Sequence, residues 1–103
     1  SLEDAAKREV KEETGIKKIK VGKLAGITYH IFKRNNCYQL KESHWFYMKS
    51  SYGGTLVPEF KEHITKATWK NKNKTVKAIK KTYPNIKDLF DQSNLMIALF
   101  GEE

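Results

Sequence analysis

Three glutamates, Glu9, Glu12 and Glu13, are spaced so that a helix would carry all of them on one side. With Glu9 at zero and about 100° per residue, Glu12 falls at about −60° and Glu13 at about +40°. Leu2, Ala5 and Ala6 fall in almost the same arc, whereas Lys7 and Lys11 lie opposite. An ordinary surface helix keeps its acids away from its apolar stripe. Here the acids line up with it, near the negative end of the helix dipole, where like charges repel and lose hydration. A hard divalent cation held by carboxylate oxygens, Mg²⁺ or Mn²⁺, relieves all three penalties. The competing reading is a solvated acidic face paired with Arg8, Lys7 and Lys11, and the wheel alone leaves both open.

The elements that must position these residues follow from patterning. Residues 2–13 are rich in helix formers and lack internal Gly and Pro, and Gly15 is placed to cap the helix end. Residues 17–33 loosen into strand: Ile19 and Val21 alternate with lysines, and Ile27, Tyr29 and Ile31 alternate with Thr28 and His30. Arg34-Asn35-Asn36 reads as a turn. A second strand is expected over residues 37–40, a third over 44–48, and a short one over 64–69, with Tyr52-Gly53-Gly54 as a break. Residues 72–81 read as a helix with Val76, Ile79 and Tyr83 on its apolar side. After Pro84, Ile86, Leu89 and Phe90 mark a last amphipathic helix. Helix, strands, then helices is an α+β order.

Arg8-Glu9-Val10-Lys11-Glu12-Glu13-Thr14-Gly15-Ile16 fills every fixed position of R-E-U-x-E-E-x-G-U (U aliphatic), the second half of the Nudix box. The chain therefore resembles the Nudix hydrolases. His44-Trp45-Phe46-Tyr47-Met48 is similar to the strand that follows the box in many of them, and Glu62-His63-Ile64 leading to Trp69 to their E-x-I…W segment. Thr82-Tyr83-Pro84-Asn85-Ile86 resembles a T-Y-P-x-I stretch of one bacterial branch. The full box, G-x5-E-x7-R-E-U-x-E-E-x-G-U, would place its first glutamate immediately before Ser1. The expectation is thus a partial Nudix domain over residues 1–103, beginning inside its box. The fold implied is a Nudix-type α/β/α sandwich with a mixed central sheet, N-terminally truncated, with little activity in this chain alone.

The resemblance implies a metal-dependent pyrophosphohydrolase that cleaves a diphosphate linked to another moiety, such as a nucleoside diphosphate derivative, by attack of water at phosphorus. The cofactor would be Mg²⁺ or Mn²⁺, held by Glu9, Glu12 and Glu13, with Glu62 as a further ligand from a distal loop and Glu59 as its alternative. Glu9 or Glu12 would instead accept the proton of the attacking water, and Arg8 would orient the cluster through a charge-assisted hydrogen bond. Two other functions compete: a non-catalytic Nudix-fold module that senses a ligand, and an RNA-binding or decapping protein.

Bulk features narrow the field. With 39% apolar and 31% charged residues the composition is that of a soluble globular protein of one domain or part of one. The net charge of +8 suits either an anionic partner or a lysine-rich solubility coat. A phosphorylated small molecule is preferred to RNA as that partner. Lys74, Lys77, Lys80 and Lys81 are read as a solvated face before a phosphate-contacting one. The lone Cys37 cannot pair within the chain, which fits the cytoplasm. His30, His44 and His63 have no zinc-ligand spacing with it. No apolar run is long enough to span a bilayer, so no membrane partner is expected. Residues 95–100 are unusually apolar and should pack on the domain or on a second copy, giving a homodimer. Tyr52 and Trp69 are candidate substrate-facing aromatics, with core packing preferred for Trp69.

Overall fold

A computed structural model of the chain describes residues 1–59, 64, 66–92 and 94–101. The element order is α1 (Leu2–Thr14), β1 (Lys20–Arg34), β2 (Cys37–Lys49), α2 (Lys72–Ile79), α3 (Pro84–Gln92) and α4 (Leu95–Phe100). This is the α+β order expected. Among the described residues the sheet has two strands, β1 beside β2, and is a hairpin rather than a larger mixed sheet. The backbone clusters into two compact units, Ser1–Leu24 with Phe46–Trp69, and Ala25–Trp45 with Lys70–Glu103.

Both ends of α1 are closed by short-range chemistry. Ser1 is the N-cap, its hydroxyl accepting from the Asp4 N–H at 3.2 Å, which satisfies one of the first-turn donors. Gly15 closes the other end in the left-handed region, φ 76, with its N–H donating to the Lys11 carbonyl at 3.0 Å. Ile16, immediately after, is buried and anchors the helix exit.

The hairpin departs from the expected strand boundaries. Residues 37–40 and 44–48 are not separate strands: Cys37–Lys49 is continuous. Lys41, Glu42 and Ser43, between the two expected strands, belong to the same strand, because ladder hydrogen bonds are made by the backbone whatever the side chains. Asn35 and Asn36 form the two-residue loop with φ 51 and φ 62, the doubly left-handed turn whose twist matches that of a hairpin. Asn tolerates that region better than other residues with a side chain. Residues 64 and 66–69 form no strand. Their alternation reflects partial burial, and a strand needs a partner edge, which this hairpin does not supply to them.

In the second unit the only fully buried polar side chain among the described residues is Thr28, 3% exposed. Its hydroxyl accepts the Trp45 indole N–H at 2.8 Å, so two neighbouring strands are tied by a side-chain bond as well as by the ladder. Thr28→Val keeps the shape and removes the acceptor. It is expected to cost about 1–3 kcal/mol, the penalty for stranding a covered donor, measurable as a shift of the denaturant midpoint. Thr28→Ser should recover much of it. No shift with Val would show that water satisfies the indole.

The C-terminal helices follow from capping signals. Asn71 caps α2, its side chain accepting from the Lys74 N–H at 2.9 Å. The helix stops at Ile79, two residues earlier than expected, and its stripe is only half covered: Val76 and Tyr83 are exposed. Pro84 is the first residue of α3, where its missing N–H costs nothing. That helix is not the last, because residues 95–100 form α4. Leu89 of α3 and Leu95 of α4 are both buried where these helices meet. The apolar tail thus packs within its own unit through one side, while Ile97, Leu99 and Phe100 stay exposed. No helix among the described residues is long and apolar enough to cross a membrane.

Candidate functional site

The three carboxylates sit on the last two turns of α1, as the wheel requires, but not all of them lie on its covered side. Ala6, Lys7, Val10, Glu13 and Thr14 are half-buried, whereas Arg8, Glu9, Lys11 and Glu12 are exposed. The covered face is therefore centred on Val10, about 100° from Glu9. Leu2, used to orient the stripe from the sequence, is itself exposed. Lys7 falls within the covered arc rather than opposite it. Glu13 alone of the three acids belongs to the covered face, with Glu9 on its flank and Glu12 on the opposite, exposed side.

The end of α1 is tied to a loop. The Thr14 hydroxyl donates to the Val10 carbonyl at 2.7 Å and accepts from the Ile16 N–H at 3.3 Å. The Thr14 carbonyl accepts the Val57 N–H at 2.7 Å. Val57 also leaves no room beside Gly15: a Cβ there would lie 3.1 Å from its Cβ and 3.2 Å from its backbone nitrogen. Val57 is thereby held against the C-terminal end of α1. Glu59, two residues past Val57, is half-buried. Glu62 lies outside the described residues, as does His63.

The donor set is chemically right for a hard divalent cation, since Glu9, Glu12 and Glu13 offer only carboxylate oxygens, and side chains three and four apart on a helix are neighbours. Among the described residues, however, no three metal-ligating side chains converge closely enough to form a cluster. Glu9 and Glu12 are exposed, and exposed like-charged glutamates have the rotamer freedom to keep their carboxylates apart. Nor does any ion pair among the described residues join Arg8 to a carboxylate.

The profile of the NUDIX domain family matches residues 1–92. The chain belongs to the Nudix domain family. Comparison with curated proteins and with solved structures gives no match. Nudix domains as a family are pyrophosphohydrolases that act on phosphorylated small molecules and generally use divalent metals. In this Nudix domain the box segment is thus a capped helix, a left-handed glycine and a buried aliphatic residue, Ile16.

Several expectations about single residues resolve differently. Trp69 is 59% exposed and is not a core residue; it lies where no strand forms to cover it. Tyr52 is half-buried and its phenol lies against Gly54, filling the space a side chain there would need. Lys74, Lys77, Lys80 and Lys81 are exposed, as a solvated face requires. A different set of lysines was missed: Lys18, Lys20 and Lys49 line one groove with Ile19, Ser50 and Ser51. The density of lysines after Gly15 was visible in the sequence, but Lys49 joins them only through the hairpin.

Proposed function

We propose that this chain is a metal-dependent pyrophosphohydrolase that cleaves a diphosphate linked to another moiety, a nucleoside diphosphate derivative or a similar compound. The observation that carries the proposal is the complete R-E-V-K-E-E-T-G-I segment on a capped helix whose last carbonyl, that of Thr14, accepts the Val57 N–H. Glu9, Glu12 and Glu13 would hold Mg²⁺ or Mn²⁺, joined by Glu62 or Glu59 from the loop. The metal supplies charge neutralisation at the phosphoryl oxygens and acidifies water, the two needs of phosphoryl transfer. Glu9 and Glu12 are both exposed, and either one would suit the role of taking the proton of the attacking water. Arg8, exposed one residue before Glu9, would orient a neighbouring carboxylate through a charge-assisted hydrogen bond. The exposed free thiol of Cys37 fits a reducing compartment such as the cytoplasm.

The metal site is tested by Mn²⁺ titration under NMR. Amides of residues 8–15 are expected to broaden first, and Glu13→Gln to weaken binding more than Glu62→Gln because the helix supplies most of the ligands. Uniform broadening across the lysine-rich helices would overturn the site. A ligand-sensing module, the alternative function, would bind nucleotide without turnover under the same metal conditions.

A further inference from the structure

The open end of the hairpin carries a second chemical feature, of opposite charge to α1. A groove of about 460 Å³ is lined by Lys18 and Ile19 from the α1–β1 connection, by Lys20 and Lys49, and by Ser50 and Ser51. Lys20 is the first residue of β1 and Lys49 the last of β2, so strand pairing brings them together from far apart in sequence. The walls are fastened to each other. The Ser50 hydroxyl donates to the Lys18 carbonyl and accepts the Tyr52 N–H at 3.0 Å. Ile19 is half-buried and gives the groove an apolar part, while the three lysines and Ser51 are exposed.

Three lysines line this one groove, and their like charges make it a favourable place for an anion. Among the described residues no carboxylate forms an ion pair with Lys18, Lys20 or Lys49. What distinguishes the set from the lysines on the open face of α2 is that strand pairing gathers it around one groove. Lys ammonium donors and an exposed serine hydroxyl suit tetrahedral oxyanions, which accept several hydrogen bonds at once. The groove volume accommodates a phosphate or a diphosphate group. Lys18 follows Gly15 by three residues, so its Cα lies within about 11 Å of the acidic end of α1. A diphosphate ester extends over a comparable length.

We propose that this groove is a phosphate subsite, taking a phosphoryl group of the substrate or of the released product through Lys18, Lys20 and Lys49. It rests on the pyrophosphohydrolase reading only for the identity of its ligand; the site itself is a property of the groove. The carboxylate end of α1 would then hold the metal that serves the reacting phosphoryl group, and the lysines would take the neighbouring phosphate.

The test is titration of the isotopically labelled chain with inorganic phosphate and, separately, with pyrophosphate, at physiological salt and with EDTA present. Metal binding and turnover are then both silent. Amides of residues 18–20 and 49–51 are expected to shift together and saturably with pyrophosphate. Tighter binding of pyrophosphate marks a substrate-side role, and tighter binding of phosphate a product-side role; either supports the subsite. Lys20→Ala with Lys49→Ala should weaken binding about tenfold or more, as loss of charge-assisted bonds predicts. Lys20→Arg with Lys49→Arg should keep most of it. Lys74→Ala with Lys77→Ala, on the open face of α2, should change nothing. Shifts spread evenly over all lysines, or affinity unmoved by the groove alanines, would overturn the proposal, as would binding of RNA oligonucleotides alone. Binding that persists in a chain without turnover would leave the subsite standing and remove only the hydrolase reading.

Discussion

Glu9→Gln and Glu12→Gln are each expected to lower kcat by about 10² or more against a responsive nucleoside diphosphate derivative with Mn²⁺ or Mg²⁺ present, a loss of about 2.7 kcal/mol of transition-state stabilisation. Glutamine has nearly the same shape and a similar helix propensity, and both positions are exposed. The helix should therefore survive, and the loss should report charge and proton affinity rather than folding. Glu3→Gln is the matched control: also exposed and on the same helix, but in its first turn, away from the Gly15 end. It should leave turnover unchanged. The two active-site variants should also differ from each other. The one that removes the proton acceptor should retain Mn²⁺ affinity while losing kcat, and the one that removes a ligand should lose both, which separates roles that helix spacing cannot. Full turnover in both variants across a broad panel of diphosphate substrates would sink the enzymatic reading altogether.

Much of the scaffold was legible because it is local. Helix α1 is set by propensity and by two caps within its own sequence, and the Asn35-Asn36 turn by residues that accept positive φ. What was not legible depends on partners distant in the chain. Residues 64–69 have strand-like alternation, but whether such a stretch becomes a strand depends on a free edge that no periodicity encodes. Trp69 illustrates the same limit: an indole next to alternating residues suggests a core position, and here it is 59% exposed. The orientation of α1 was misjudged for a related reason. Leu2, Ala5 and Ala6 set the wheel, yet the covered side of α1 is centred near Val10, which leaves Glu9 on its flank and Glu12 on the far, exposed side. The lysine groove needed the hairpin to bring Lys49 beside Lys18 and Lys20.

Gly15→Ala is expected to destabilise the first unit by about 2 kcal/mol, and Gly15→Val by more. Two separate costs add. At φ 76 the residue occupies the left-handed region, where a Cβ meets the following carbonyl at about 1–2 kcal/mol. The new Cβ would also lie 3.1 Å from the Val57 Cβ and 3.2 Å from the Val57 nitrogen, the atom whose N–H is held by the Thr14 carbonyl at 2.7 Å. Relieving the second contact means loosening the bond that holds Val57 against the C-terminal end of α1. Gly15→Asn separates the two costs, because Asn tolerates the left-handed region but carries the same Cβ. Denaturant midpoints should fall in the order Gly, Asn, Ala, Val with unchanged m-values. Mn²⁺ affinity should weaken in the same order if the loop contributes Glu59 or Glu62 to the metal. Equal stability of Ala and Gly would mean that Val57 moves away freely, and the loop would then have no fixed place beside the carboxylates. A stability loss without any change in Mn²⁺ affinity would leave Glu9, Glu12 and Glu13 as the whole of the metal site.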